Sequence, residues 1–202
     1  MMYAGIHALF KTDLKAILAY STISVLGMLT FLIGLGTGEA LIAACVFIIV
    51  HALYKATLFL TTGIIDHETG TRDIRVLSGL KAVLLPVFIA GLLAALSSAG
   101  VPFFFGFIGK DLIYEATLNA SSNISVYLTI AAVVTNICLV TAGFIAGIRP
   151  FVGKLPPQFR HIHLPQGSMW VPPLILATAG LIFGLVPGYI GEVVISPAIS
   201  VV

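Results

Sequence analysis

The sequence predicts an all-α polytopic membrane protein of about six transmembrane helices, one of them broken. Three observations carry that prediction. First, 59% of the 202 residues are hydrophobic and 9% charged, with a mean hydropathy of +1.12, whereas an ordinary soluble domain carries about 25% charged residues. Second, charge-poor runs fall at residues 14–35, 40–65, 82–99, 101–118, 125–148 and 171–191. Each is near the roughly 20 residues a helix needs to cross about 30 Å of hydrocarbon. Third, the stretch Gly100-Val-Pro-Phe-Phe-Phe-Gly-Phe-Ile-Gly-Lys110-Asp111 sets a proline, glycines and a lysine inside apolar sequence. Proline and glycine weaken the helical ladder, and a broken helix at membrane depth is tolerated only where protein buries it or it lines a wet cavity.

The connectors fall at 34–39, 66–81, 97–100, 119–123 and 149–169. The turn at 97–100 is read as separating two crossings. The last connector carries Arg149, Lys154, Arg160, His161, His163 and three prolines, which mark it as a surface segment. If every run crosses, Lys11, Lys15, Arg72, Arg75 and Lys81 lie on one side and Arg149, Lys154 and Arg160 on the other. Such a split leaves the orientation open.

The net charge of +2 is too small and too scattered for a nucleic-acid partner. Cys45 and Cys138 lie in apolar runs without neighbours at metal-ligand spacing. Residues 1–11 lack the order of a cleaved secretory signal, so the first span is expected to direct insertion. No Ser, His and Asp arrangement, glycine-rich phosphate cradle or CxxC motif is present. The chain therefore reads as neither an enzyme nor a cofactor or metal protein.

In the first helix, Thr12, Asp13 and Lys15 are followed by Tyr20, Ser21, Thr22 and Ser24, which carry polarity two turns inward. Asp13 suits a helix N-terminus, and Lys15 can snorkel toward headgroups. The hydroxyls beyond them can bond a water file or a neighbouring helix. In the second helix, His51 and Lys55 stand about 6 Å apart along one face, deep in the span. Histidine exchanges protons near neutral pH, so the pair suits proton relay; the alternative is structural hydrogen bonding to neighbouring helices. Lys110 falls halfway along the fourth run, where a lysine costs about 2.5–3.5 kcal/mol on insertion scales. It reads as the ionisable centre of a transport path. Residues 66–75 mix both signs without ligand spacing and read as a solvated, turn-rich loop.

Three blocks, in order and spacing, resemble the proton-conducting membrane subunits shared by complex I and Mrp-type cation/proton antiporters. They are Thr12-Asp-Leu-Lys15 through Tyr20-Ser-Thr-Ile-Ser24, His51-Ala-Leu-Tyr-Lys55, and Gly100-Val-Pro102 through Gly106 to Lys110. The loop Asp66 to Arg75 and the tail from Pro172 to Gly188 look most like the large A subunit of the Mrp Na+/H+ antiporter. The resemblance implies two inverted five-helix repeats, each with a broken helix, joined by polar residues along the midplane. This chain would supply the second repeat plus one further helix. Residues 1–148 would be that half, 149–170 a polar loop, and 171–202 the following helix and tail. The first repeat, with its acidic residue and partner lysine, has no counterpart here, so the chain is expected to be a fragment, a truncation or one piece of a split gene.

By position, Lys110 would be the broken-helix lysine, Lys55 and His51 the central relay, and Lys15 a polar-axis lysine. Protons on His51 and Lys55 would repel the charge on Lys110 and drive its proton to one side of the membrane, coupled to sodium movement elsewhere in a complex. Three positions depart from the family pattern: Val25 replaces a polar residue, Phe47 a second histidine, and Phe103 a second proline. The Phe47 change leaves a one-turn gap in the polar file.

The resemblance implies a multi-pass subunit in a bacterial or archaeal plasma membrane. It would carry H+ and Na+ or another monovalent cation. Its partners would be the other antiporter subunits and the missing repeat. The alternatives are a membrane-arm subunit of complex I or of a membrane-bound hydrogenase, and an inactive remnant.

Overall fold

The computed structural model describes residues 1–120 and 124–192. Part of the expected 119–123 connector and the end of the expected tail lie outside the described residues. A short helix, α1 (Met2–Leu9), precedes α2 (Leu14–Leu35) and α3 (Gly38–Thr69). These are followed by α4 (Leu85–Ala99), α5 (Phe105–Leu118), α6 (Ser125–Gly147), α7 (Gly167–Leu185) and the single turn α8 (Pro187–Ile190). The helix ends follow local chemistry. Asp13 caps α2 by accepting from the Ala16 amide at 2.9 Å, and Thr37 caps α3 by accepting from Ala40 at 3.2 Å. Gly36, Gly70 and Gly100 end α2, α3 and α4 in the left-handed conformation that glycine adopts without strain.

Three boundaries differ from the sequence reading. α1 is too short, at eight residues, to show as a spanning run; it packs on α2 and α6, where a side chain at Gly5 would crowd Cys138 and Ser24 at 3.1 Å. α3 continues through Asp66–Thr69, so that stretch is helix and not loop. α7 begins at Gly167, ahead of Pro172 and Pro173, which its first turns absorb.

Four helices, α2, α3, α6 and α7, are each long and apolar enough to cross a membrane. α4 and α5, of 15 and 14 residues, are about 21–22 Å long and fall short of the roughly 30 Å core. Their neighbours show how they combine. Along α6 and the turn that follows it, Phe88 meets Phe151, Gly91 meets Gly147 and Ser98 meets Gly143; farther down, Tyr114 bonds Asn136 and Thr117 accepts from Thr129. α4 and α5 thus lie end to end and form one interrupted crossing antiparallel to α6. This corrects the expectation that 82–99 and 101–118 cross separately around a tight turn. Gly91 makes the pairing possible, since a Cβ there would sit 2.7 Å from the Gly147 carbonyl oxygen. Small residues let helices approach closely where lipid supplies no hydrophobic drive.

The same correction settles the charges. Leu14 donates to Arg72 O and Ile74 to Thr12 O; Arg149 donates to Ile74 O at 3.4 Å and Ser78 to Lys154 O at 2.8 Å. Gly180 packs near Ser97 and Phe183 near Phe105, so α7 runs parallel to α4 and starts at the same end. Lys11, Lys15, Arg72, Arg75, Lys81, Arg149, Lys154 and Arg160 therefore share one end of the bundle. Glu39 and Asn119, bonded at 3.3 Å, mark the other end, where no Lys or Arg lies among the described residues.

Candidate functional site

The interruption at residues 100–104 is held by three backbone hydrogen bonds. Gly100 N donates to Ser97 O and Val101 N to Leu96 O, a Schellman arrangement closing α4, while Phe104 N donates to Val101 O and opens the approach to α5. Lys110 lies in the second turn of α5, not midway along one continuous span. Helical side chains lean toward the N-terminus of their helix. Lys110 accordingly reaches back over the break, with its stem against Gly100, where a Cβ would stand 2.7 Å from its Cδ.

Lys110 is 8% exposed, and its amine has no hydrogen bond or ion pair among the described residues. It lines a cavity of about 340 Å³ between α5 and α6 with Gly100, Asp111, Tyr114, Asn136 and Thr141.

The second polar group lies between α2 and α3. Lys55, 7% exposed, donates to the Leu18 carbonyl at 3.1 Å and to the Ser21 hydroxyl. Ser21 donates to the same carbonyl at 2.9 Å. The polar run beyond Lys15 thus supplies the ligands of the Lys55 amine. One turn earlier, half-buried His51 shares a 3.0 Å hydrogen bond between Nδ1 and the Tyr54 hydroxyl. Phe47 packs beside His51 with ring centroids 6.4 Å apart, and Phe47 and Val50 close on Gly109 of α5. The contact between the α3 pair and Lys110 is therefore apolar at this level.

Lys15, 41% exposed, sits at the basic end and pairs with Asp66 at 2.8 Å; Arg72 joins the cluster through Asp13 at 2.9 Å. Together with the Asp13 to Asp73 bridge, these bonds clasp residues 70–75 onto α2. The segment is a docked strap, where the mixed charges suggest only a solvated loop. Within it, the Arg75 guanidinium, donating to Asp73 at 2.6 Å, holds that carboxyl down to about 2. Among the described residues no hydrogen bond or ion pair joins any two of Lys15, His51, Lys55 and Lys110.

Asn136 and Tyr114 escape the sequence reading. Asn136 is 2% exposed, and its Nδ2 donates to the Tyr114 hydroxyl at 2.8 Å. A lone amide in the middle of the 125–148 run is the available signal.

An interrupted membrane crossing with a buried lysine beside it that is unpaired among the described residues, packed on a helix bearing a second buried lysine, defines a polytopic membrane protein with ionisable groups in its interior. The chain belongs to the family described as NADH:quinone oxidoreductase/Mrp antiporter, TM, whose model matches residues 1–137. It is 33% identical to the A subunit of the Na(+)/H(+) antiporter of Alkalihalophilus pseudofirmus, covering 100% of this chain and 28% of that protein. It is 35% identical to the A1 subunit of the Na(+)/H(+) antiporter of Staphylococcus aureus strain Newman, covering 99% and 28%. The chain thus spans little more than a quarter of these relatives' length. Among solved structures, it resembles the Mrp complex from Dietzia sp. DQ12-45-1b with a TM-score of 0.83 and 33% identity, over 98% of this chain and 21% of that one. It also resembles respiratory complex I from Thermus thermophilus, with a TM-score of 0.78 and 25% identity, over 94% and 39%.

Proposed function

We propose that this chain forms a proton-translocating half-channel of a monovalent cation/proton antiporter subunit of the Mrp type. The carrying observation is Lys110: buried, without a protein partner among the described residues, and set against a cavity where a membrane crossing is interrupted. An intramembrane lysine is expensive and is usually placed for function. Left without a fixed counter-ion, its amine is free to lose and regain a proton.

Lys55 and His51 form the inner relay in this reading, and Lys15 lies at its basic end. Protons arriving on His51 and Lys55 repel charge at Lys110 and promote release of its proton. The apolar Phe47 contact is then crossed by side-chain movement or by water. The common end of the eight basic residues is cytoplasmic by the positive-inside rule, in a bacterial or archaeal plasma membrane. Domain roles follow: 1–148 conduct protons, 149–170 form the cytoplasmic connection, and the helix beyond completes the bundle. The partners are the other membrane subunits of such a complex and the further helices its relatives carry. The transported ions are H+ and Na+ or another monovalent cation, and no covalent chemistry is assigned.

A redox-driven pump is the rival reading. Identity to the antiporter relatives, 33–35% across the chain, against 25% to complex I, favours the antiporter. The test is Lys110→Ala in the complete subunit within its assembled complex, read by Na+-driven ΔpH in everted vesicles. Exchange is expected to fall to background with normal assembly; exchange at the wild-type rate overturns the reading.

A further inference from the structure

We propose that Asn136 is a positioning residue for the Lys110 site, fixing the Tyr114 hydroxyl at the cavity wall and holding the water through which Lys110 exchanges its proton. The inference rests on the reading of Lys110 as the proton-carrying group. Asn136 lies near the middle of α6, and an amide at that depth must find partners within the protein. Only half of it does. Its Nδ2 donates to Tyr114 at 2.8 Å, and its buried Oδ1 has no partner among the described residues. Turning the amide over exchanges the two ends and still leaves one unpaired.

Asn136, Tyr114 and Lys110 line the same cavity of about 340 Å³. A water needs about 30 Å³ and two to four polar partners; the cavity has the room, and on a largely apolar wall Lys110, Asp111, Tyr114, Asn136 and Thr141 are the residues that can supply them. An apolar side chain at position 136 would leave the lysine facing a wall with the tyrosine hydroxyl unsupported.

Proton transfer then balances simply. An N–H bond of the Lys110 ammonium breaks as an O–H bond forms on the bound water, leaving a neutral amine and passing the proton onward. The other ionisable groups around Lys110 are Asp111 on its own helix, which lines the same cavity, and His51, Tyr54 and Lys55 on α3. Of the ionisable residues of α6, Cys138 packs against Gly5 of α1 and Tyr127 lies in the first turn, while α4 and α7 bring no charged residue.

The test uses the complete antiporter complex in everted vesicles, with Asn136→Val and Asn136→Thr compared at matched levels of assembled complex. Valine and threonine have nearly the same shape, and only threonine offers a hydroxyl to water. Asn136→Val is expected to lower maximal Na+-driven exchange by roughly tenfold or more, with the KM for Na+ little changed, and Asn136→Thr to recover most of the rate. Equal rates in the two variants, both high or both low, overturn the proposal, because then either the residue is dispensable or only its shape matters. Lys110→Ala measured alongside reports separately on the underlying reading. If it stays active, that reading fails whatever position 136 does.

Discussion

Gly100→Ala tests whether the placement of Lys110 over the break matters. Gly100 holds φ +75° in the left-handed region, where a Cβ costs about 1–2 kcal/mol. That Cβ would also stand 2.7 Å from Lys110 Cδ, against an ordinary carbon contact of about 3.5–4.0 Å, so the lysine stem must move by roughly 1 Å. A flexible stem yields cheaply in stability, yet a displacement of about 1 Å in a reacting group can cost on the order of a hundredfold in rate. Gly36→Ala is the matched control: it carries φ +67° with nothing within 4 Å of its Cβ. Both variants are expected to lose about 1–2 kcal/mol in a detergent unfolding assay, from the backbone alone. Na+-driven exchange in everted vesicles should fall steeply for Gly100→Ala and hold near wild type for Gly36→Ala. Indistinguishable exchange in the two would refute the idea that the glycine places the lysine.

Two further expectations concern the basic end. Asp73 is an acid whose folded value, about 2, lies below its ordinary 3.8, so its contribution to the strap is complete above about pH 4 and lost as pH falls toward 2; a carboxyl-carbon NMR titration with its Asp73 midpoint near 3.8 would contradict this. The orientation predicts that, in intact cells, an impermeant thiol reagent modifies Glu39→Cys and spares Lys154→Cys; the reverse pattern would contradict the orientation, and equal labelling of the two would contradict the end-to-end reading of α4 and α5.

Most of the helices are legible in the sequence, since long apolar runs leave few other structures in a membrane. The Asp13 cap and the depth of Lys55 are legible for the same local reasons. The relation between 82–99 and 101–118 is not. Gly100 and Pro102 announce a break, but a reversal and an interruption begin with the same residues. Only the partners along α6, Gly147 for α4 and Asn136 for α5, tell them apart. That single ambiguity also hides the orientation, because reversing at 97–100 moves Arg149, Lys154 and Arg160 to the wrong side. The strap at 70–75 reads as a free loop because its clasp joins residues some 60 positions apart, Asp13 to Arg72, and mixed charge alone does not name a partner. Of the expected polar file, His51, Lys55 and Lys15 each find a neighbour that the motif does not specify: Tyr54, Ser21 and Asp66.

The central claim is that the break opens Lys110 to water at membrane depth. It is tested most directly by placing a cysteine at position 110 of the complete protein, after replacing Cys45 and Cys138, and treating the assembled complex in membranes with a small charged thiol reagent. Modification at position 110, with a cysteine at the outward-facing Ile175 unmodified, is the predicted result. A cysteine at 110 as inert as the one at 175, while Glu39→Cys reacts, would show the site to be dry and would contradict the account.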